Sequence, residues 1–376
     1  MHVSSDDVAV MLAEVGRFAR ERVEAAAARP ELPMGDDVLA ALSAEAVAMG
    51  VLPTSGDAGF ALWAQPRDAA SVAFSLGAVR QLGRANAGVA FAWHRAALAR
   101  SLAAQLALPC LATGALDLTV VPTGHFGLAR TSAARWLHGA PADDDDTRLM
   151  ADWLDRQAHT TPLIAPRAWS VLLWPVWQKG RVTWYVVQRH QLGAPTCRPQ
   201  HGLDELAAYT VRALAPVGIA TPCDDGASRR GVAHALTLDW LGLLAIALGA
   251  LERGQQMAIT FAGIRLQGGT VIARHPAVQR MLSEIDAARQ QADLTLASFA
   301  GAVDDLDLGA VAAARATLHP MLCDAASQVV QVQGGIGYMR DAGPEKILRD
   351  LNVLKLQGGG VLAAHAFMAG WAEASL

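Results

Sequence analysis

Apolar residues recur at helical spacing through the first hundred positions of the chain. Alanine and leucine dominate residues 8–15, 38–42 and 71–108, with apolar side chains three and four residues apart. Such spacing places them on one face of an amphipathic helix. A loop at residues 53–59, which contains proline and glycine, interrupts the series. The pattern therefore predicts a helical domain over residues 1–111.

The pattern changes in the middle of the chain. Short runs rich in β-branched and aromatic residues, at 118–121, 169–174 and 182–187, alternate with clusters of proline, glycine and aspartate. Runs of this length and composition, bounded by turn residues, favour strands. Residues 112–226 are therefore predicted to form a small β-domain.

Helical spacing returns after this region. Residues 236–264 are apolar almost all the way round, which is typical of a helix that is buried on more than one face. Further helical stretches follow at 276–302, at 306–332 and from Pro344 to the end of the chain. Because four long helices in succession suit a bundle, residues 227–376 are predicted to form a C-terminal four-helix bundle.

Composition limits the classes of function. The chain of 376 residues is 52% hydrophobic and 18% charged, with a net charge of −4, and it is long enough for two or three domains. The charge provides no basic surface for nucleic acid or for a membrane. The longest apolar run, residues 241–251, is far shorter than the roughly 20 residues of a membrane span. Since the first residues also lack a signal-peptide pattern, we expect a soluble, cytoplasmic protein.

No residue pattern indicates a metal site. The eleven histidines form no H-E-x-x-H or Cys/His arrangement. The acidic run at 143–146 lacks the spacing of a calcium loop and is interpreted as a solvated turn. The cysteines are far apart, have no C-x-x-C pair and are expected to be reduced thiols: Cys110, Cys197, Cys223 and Cys323.

A C-terminal segment has a more specific pattern. The stretch Gln331-Val-Gln-Gly-Gly-Ile-Gly-Tyr338 is followed by Pro344-Glu-Lys-Ile-Leu-Arg-Asp350. Glycine lets the backbone approach another group closely, because it has no β-carbon and accepts positive φ. The order Q-x-x-G-G-x-G-[YF], followed by E-[KR]-x-x-R-D, resembles the C-terminal signature of the flavin-dependent acyl-CoA dehydrogenases.

The resemblance implies a mostly α fold with a central β-domain. Its parts would be an N-terminal helical domain, a small β-barrel domain and a C-terminal four-helix bundle. In the middle domain, Trp136-Leu-His-Gly139 resembles the w-x-l-x-G strand of the family. The family's T-E-P-x-A-G-S-D loop, which lines the flavin, has no clear counterpart in this chain.

The resemblance also implies that FAD is the cofactor. Arg265 stands where the family has the arginine of R-x-x-F-G, which binds the FAD pyrophosphate by paired hydrogen bonds, and Gly268 replaces the phenylalanine. Four residues match the family segment that wraps the ADP half of a neighbouring subunit's FAD: Gln331, Gly334, Gly335 and Gly337. The alternatives are a helix C-terminal cation before a Gly-Gly stop and a glycine pair that merely turns the chain.

The catalytic base is where the chain departs from the family. Aligned without a gap from the glycine pair, the family's Y-E-G-T becomes Gln357-Gly358-Gly359-Gly360, so Gly358 replaces the usual glutamate. Some family members carry the base on the first bundle helix, and the equivalent residue here is Asp239. We expect burial to raise the pKa of Asp239, as a general base near neutral pH requires. The alternative is a helix N-terminal aspartate or a satisfied core acid.

The spacing of two candidate residues has a geometric consequence. If the helix is continuous, a rise of about 1.5 Å per residue separates Asp239 from Arg265 by roughly 39 Å. This distance exceeds the length of one extended FAD, so both residues cannot serve the same flavin. Either one assignment is wrong or the protein is an oligomer, which we expect to be a dimer of dimers.

Two functions fit these residues. The first is FAD-dependent α,β-dehydrogenation of acyl-CoA or another acyl thioester by a homotetramer, with Asp239 as the base and the backbone N–H of Gly358 polarising the thioester carbonyl. An electron-transferring flavoprotein is a candidate electron acceptor. The second is a non-catalytic subunit that completes the FAD site of an active homologue in a heterotetramer. A flavin oxidase or monooxygenase of the same fold is a third hypothesis, but no feature of the sequence specifically supports it.

Overall fold

Helices form the N-terminal and C-terminal parts of the chain and most strands lie between them in sequence, which confirms the predicted fold class. The structure, a computed structural model, describes residues 5–54, 60–109, 114–121, 130–140, 160–178, 181–212, 219–220 and 224–376. The N-terminal helices are α1 (Ser5–Phe18, which continues as a π-helical turn, Ala19–Glu24), α2 (Asp36–Ala48), α3 (Ala69–Ala85) and α4 (Ala87–Gln105). The domain limits at residues 111 and 226 stay predictions.

Helix α4 is the central helix of the N-terminal part. It begins at Asn86, whose side chain accepts a hydrogen bond from the backbone N–H of Val89 and so caps the helix. Every residue from Ala87 to Ala103 is buried. Two polar side chains on this helix, His94 and Arg95, therefore lie inside the protein core.

The middle strands form two sheets. The strands are β1 (Leu118–Val120), β2 (Thr160–Ala165), β3 (Val171–Gln178), β4 (Arg181–Gln188), β5 (Gly193–Arg198), β6 (Ala207–Arg212) and β7 (Ile219–Ala220). One sheet has the order β1-β3-β4-β7, with β1 parallel to β3, and the other is antiparallel with the order β2-β6-β5. Within the described residues the strands form two separate sheets, and their closure into the expected β-barrel stays a prediction.

A helix replaces one predicted strand. Residues Arg130–His138 form α5, so the expected w-x-l-x-G strand around Trp136 is wrong. The helix buries Ala133 and Trp136, three residues apart, and directs Arg135 to an ion pair with Glu373. This is the spacing of one helical face, and alanine, leucine and arginine are strong helix formers.

Five helices form the C-terminal part. They are α6 (Asp225–Ile264), α7 (Pro276–Ala297), α8 (Leu308–Gln333), α9 (Pro344–Leu356) and α10 (Gly360–Ala374). The first three match predicted bundle helices, whereas the predicted fourth helix is divided in two. The reason is a run of three glycines with positive φ, which end one helix and begin the next: Gly358 (60°), Gly359 (92°) and Gly360 (71°).

Helix α6 is continuous over 40 residues, and its first half is the centre of the molecule. Every residue from Leu236 to Leu251 is buried. Within the described part of the chain, α6 is long and apolar enough to cross a membrane, but 94% of its apolar window is buried. Because α3, α4 and α8 of the same chain pack against α6, its apolar character is explained without a second subunit.

Candidate functional site

The C-terminal ends of α6 and α8 form an open groove of about 890 Å³. Arg265 caps the end of α6, and Gln333 ends α8. The groove brings together four of the predicted FAD-binding residues: Arg265, Gln331, Gly334 and Gly335. The fifth, Gly337, is not among the lining residues, and a β-carbon there would clash with the backbone oxygen of Val330. Gly337 therefore serves helix packing.

Gly334 and Gly335 expose backbone to this groove. Gly334 has a φ of 58°, which favours glycine. Gly335 does not have a positive φ, and a β-carbon on it would meet no atom within 4 Å. The described part of the chain therefore gives no packing reason for glycine at position 335, and the open space beside it suits a ligand that approaches the backbone.

The two glutamines at the end of α8 differ in their environment. The exposed Gln331 donates from Nε2 to the hydroxyl of Tyr338 at 2.6 Å. Gln333 is only 7% exposed and lines the groove, and within the described residues its Nε2 has no hydrogen-bond partner. The sequence analysis did not single out Gln333. The feature that could have identified it is a second glutamine, two residues after Gln331, at a helix position that faces the interior.

After Arg265 the chain makes a short hairpin, β8 (Leu266–Gln267) and β9 (Thr270–Val271). Its two-residue turn is Gly268-Gly269, with φ values of 59° and 80°. A turn with two positive φ angles is the type that strands of a hairpin favour. The Gly-Gly pair therefore directs the chain back beside α6, and the family's phenylalanine would be strained at position 268.

Asp239 lies in the first half of α6 and is completely buried. Its Oδ1 is 2.9 Å from Nε of Arg95, and Nη2 of Arg95 donates to Oδ2 at 3.3 Å. His94 Nε2 lies 3.2 Å from Oδ1. Since the indole N–H of Trp63 donates to Nδ1 of His94 at 2.9 Å, the ring proton of His94 is on Nε2 and is donated to Asp239. This is the environment of a satisfied core acid.

The pKa values in this cluster follow from burial and charge. Burial alone would raise the pKa of Asp239, but the positive charge of Arg95 and the hydrogen bond from His94 outweigh it, and the net pKa is lowered. The expected upward shift is therefore wrong. Burial lowers the pKa of His94, despite the neighbouring carboxylate, so the imidazole is neutral and Asp239 is ionised.

Asp239 and Gly358 are neighbours in the structure. A β-carbon on Gly358 would lie 3.0 Å from Oδ2 of Asp239 and 3.0 Å from the indole nitrogen of Trp240. The indole N–H of Trp240 donates to the backbone oxygen of Gly358 at 3.2 Å. The wholly buried Arg315 donates to three carbonyls at the end of α9 and so fixes this turn: Leu354, Lys355 and Gln357.

Helix α5 and the C-terminal helix cover this region. Trp240 packs edge-on against Phe367, which stacks on Trp371, and Trp371 in turn contacts the ring of His138 on α5. The hydroxyl of Thr131 donates to the carbonyl of Ala366 at 3.2 Å. The helix turn that carries Asp239 and Trp240 is therefore packed against aromatic side chains of α10, unlike the open groove at the C-terminal end of α6.

The E-K-x-x-R-D segment has a structural role. Lys346 Nζ lies 2.8 Å from Asp350 and 3.1 Å from Glu205, and the N–H of Leu203 donates to Asp350 at 2.6 Å. Glu205 also accepts from the amide of Asn86 at 2.7 Å. Burial, and secondarily the charge of Glu205, raise the pKa of Asp350 to about 6 despite Lys346. This buried network joins α9 to the sheet region and to the start of α4.

The acidic run at 143–146 and two cysteines, Cys110 and Cys223, lie outside the described residues. Within the described ranges, no three His, Cys, Asp or Glu side chains are grouped closely enough to hold a metal ion.

Comparison with known proteins adds three findings. Residues 231–361 match the model of the acyl-CoA dehydrogenase C-terminal domain. An acyl-CoA dehydrogenase of Bacillus subtilis (strain 168) is 32% identical over 127 residues, or 33% of each chain, so the similarity spans about a third of the length of this curated relative.

Solved structures resemble nearly the whole chain at low identity. A glutaryl-coenzyme A dehydrogenase in complex with glutaryl-CoA aligns with a TM-score of 0.73 at 14% identity, covering 98% of this chain and 95% of that one. Butyryl-CoA dehydrogenase from Megasphaera elsdenii aligns with a TM-score of 0.67 at 14% identity, covering 98% and 99%.

Proposed function

Because residues 231–361 match the acyl-CoA dehydrogenase C-terminal domain, we propose that the chain is an FAD-binding member of this family that does not itself catalyse dehydrogenation. Its groove holds the ADP half of an FAD and completes the flavin site of an active homologue in a heterotetramer. The observation that carries the proposal is the contrast between two sites along α6. Arg265, at the C-terminal end of the helix, lies in an open groove, whereas Asp239, in its buried first half, is held in an ion pair.

The groove residues suit the cofactor. Arg265 is exposed, and within the described residues no carboxylate lies within ion-pair distance of it. A guanidinium can make paired hydrogen bonds to a pyrophosphate, and the bare backbone at Gly335 permits close approach. Apolar side chains complete the wall and suit a flat ring: Phe261, Ile272, Val278, Ile336 and Met339. When bound, FAD supplies a hydride acceptor.

The surroundings of Asp239 do not suit proton abstraction. A general base must come within hydrogen-bond reach of the proton that it removes, but Asp239 has no exposed surface. Its lowered pKa makes it a weak base, and Arg95 already neutralises its charge. Gly358, at the position of the family glutamate, has no side chain.

The second candidate is α,β-dehydrogenation of an acyl thioester with Asp239 as the base. The contact between Asp239 and Gly358 favours it, because a carboxylate then lies beside the position from which the family glutamate would extend. A substrate could reach Asp239 only if the packing that buries it opened and the carboxylate left Arg95. This candidate would act on acyl-CoA as a homotetramer and pass electrons to a partner such as an electron-transferring flavoprotein.

An oligomer is part of both candidates. Apolar side chains beside the groove are exposed in the single chain, among them Ile264 (72%), Leu266 (70%) and Met339 (56%). They are available to contact a neighbouring subunit, whose FAD would extend into the groove. Sedimentation at micromolar concentration tests this point, and a stable monomer that holds FAD would contradict it.

The proposed function is tested by flavin uptake and flavin reduction. The protein is purified alone, titrated with FAD, and examined again after co-expression with a homologous dehydrogenase that carries the family glutamate. The proposal predicts flavin retention that improves in the heteromer, and no flavin bleaching by butyryl-CoA or glutaryl-CoA in the protein alone. Bleaching in the isolated protein would favour the second candidate, and failure to hold FAD under either condition would refute both.

A further inference from the structure

Gln333 is a buried side chain whose amide nitrogen has no hydrogen-bond acceptor among the described residues. Its side chain is only 7% exposed and lies in the wall of the groove. Its Nε2 has no partner in the part of the chain that the structure describes. Buried polar groups in folded proteins are nearly always hydrogen-bonded, because an unmet donor loses its interaction with water and gains nothing. A donor of this kind at the edge of an open groove indicates a ligand acceptor.

The neighbouring residues identify the class of that acceptor. Arg265 provides a cation for phosphate at the end of α6, and the groove is otherwise lined mainly by apolar side chains and glycine backbone. An apolar wall beside a phosphate site suits a flat heteroaromatic ring. Adenine presents ring nitrogens that accept from a side-chain amide, a pairing that Gln makes with adenine in other proteins.

We propose that Gln333 Nε2 donates a hydrogen bond to the adenine ring of the nucleotide in this groove. The proposal rests on the proposed binding of FAD and assigns the base contact to Gln333. Gln331, the glutamine of the family pattern, already donates to Tyr338 within the chain. Gln331 therefore fixes the turn that follows α8, while Gln333 is free to contact the nucleotide base.

The test compares Gln333→Met with Gln331→Met as the matched control. Methionine keeps the length of the side chain and removes the amide. Isothermal titration with ADP should show roughly three- to tenfold weaker binding for Gln333→Met, the range expected for one hydrogen bond. Binding of inorganic pyrophosphate should be unchanged, because Arg265 holds the phosphates.

The melting temperature of the ligand-free protein is the second readout. Gln333→Met removes an unpaired buried donor, so we expect the ligand-free variant to melt at the same or a higher temperature than the wild type. A structural role for Gln333 would instead lower the melting temperature. Gln331→Met should retain ADP affinity within about twofold, since its amide faces Tyr338.

The outcomes separate this inference from the proposed function. If the wild type binds ADP and FAD but Gln333→Met binds them equally well, the inference is wrong and the flavin proposal stands. If Gln333→Met changes only the oligomeric state, the amide serves a subunit contact and the inference is also wrong. If the wild type binds neither FAD nor ADP, the flavin proposal fails and the inference fails with it.

Discussion

The carboxylate of Asp239 lies against Gly358, and a β-carbon at position 358 would be only 3.0 Å from Oδ2. These are the two positions at which the family resemblance places a catalytic base, one on α6 and one after α9. The structure brings them to one place, but only one of them carries a carboxylate. Arg95 already neutralises that carboxylate from α4, so Asp239 is paired in the core and is not accessible as a base.

Restoring the family glutamate by Gly358→Glu should not create an active site. The backbone at this position has a φ of 60°, and the new β-carbon would lie 3.0 Å from both Asp239 and Trp240. We expect a loss of about 1–3 kcal/mol in the free energy of unfolding, because the strained backbone and a second carboxylate beside Asp239 both destabilise the fold. Urea denaturation measures the loss.

The control for that substitution is Gly263→Glu. Gly263 is on α6, has no positive φ, and a β-carbon there would meet no atom within 4 Å. Replacing glycine in an exposed helix should leave stability unchanged or raise it by about 0.5–1 kcal/mol. If Gly358→Glu were as stable as Gly263→Glu and gained dehydrogenase activity, the described turn would be wrong.

Arg95→Leu should destabilise the protein strongly. It leaves Asp239 as an unpaired buried charge, a loss that typically costs about 3–5 kcal/mol. The double variant Arg95→Leu/Asp239→Leu should recover much of this loss, because both charges are then absent. A single variant as stable as the wild type at pH 7 would contradict the ion pair.

The pH dependence of the same variant has a defined sign. In the wild type the pKa of Asp239 is lowered, so its stabilising contribution is present above the unfolded pKa of about 3.9 and is lost as pH falls through the folded value. Without Arg95 the folded pKa rises above the unfolded value. The free energy of unfolding of Arg95→Leu should then increase, relative to the wild type, as pH falls from 7 towards about 4.

The raised pKa of Asp350, which lies where α9 contacts the sheet region, predicts that the free energy of unfolding depends on pH. Its folded pKa of about 6 is above the unfolded value, so ionisation of Asp350 opposes folding above pH 6 and this opposition fades as pH falls towards about 4. Asp350→Asn removes the titration and still accepts from Leu203. The stability difference between wild type and variant should change by about 1–3 kcal/mol over this interval, as measured by urea denaturation at several pH values. Parallel pH profiles would show that Asp350 does not titrate there.

Arg265→Met should weaken FAD retention without unfolding the bundle. The side chain is exposed in the groove, and removing a charge-assisted contact to phosphate costs about 1.5–3 kcal/mol of binding, or roughly ten- to a hundredfold in affinity. The matched control is Arg274→Met, an exposed arginine on the next turn that does not line the groove. Equal FAD affinity in both variants, measured by fluorescence titration, would remove Arg265 from the site.

Sequence patterns predicted the helices well and the middle region less well. Helix α6 was clear from its long apolar stretch, and four residues that line the groove were among those singled out in the sequence: Arg265, Gln331, Gly334 and Gly335. The helix around Trp136 was not predicted, because a segment this short fits the periodicity of a helix and of a strand equally well. Its packing partner, α10, decides between the two only in the folded structure. The environment of Asp239 was missed because Arg95 and His94 lie more than 140 positions away in the chain. Burial could be inferred from neighbouring residues, but the charges that reverse its effect on the pKa could not.

The most direct test of the account is the visible spectrum of the FAD-reconstituted protein, recorded without oxygen while acyl-CoA is added. Butyryl-CoA and glutaryl-CoA are the probes, and wild type is compared with Asp239→Asn. A sealed, ion-paired Asp239 predicts that both proteins hold FAD and that neither is bleached, with unchanged spectra after Asp239→Asn. Bleaching of the wild type that Asp239→Asn abolishes would contradict the account and would establish Asp239 as the base.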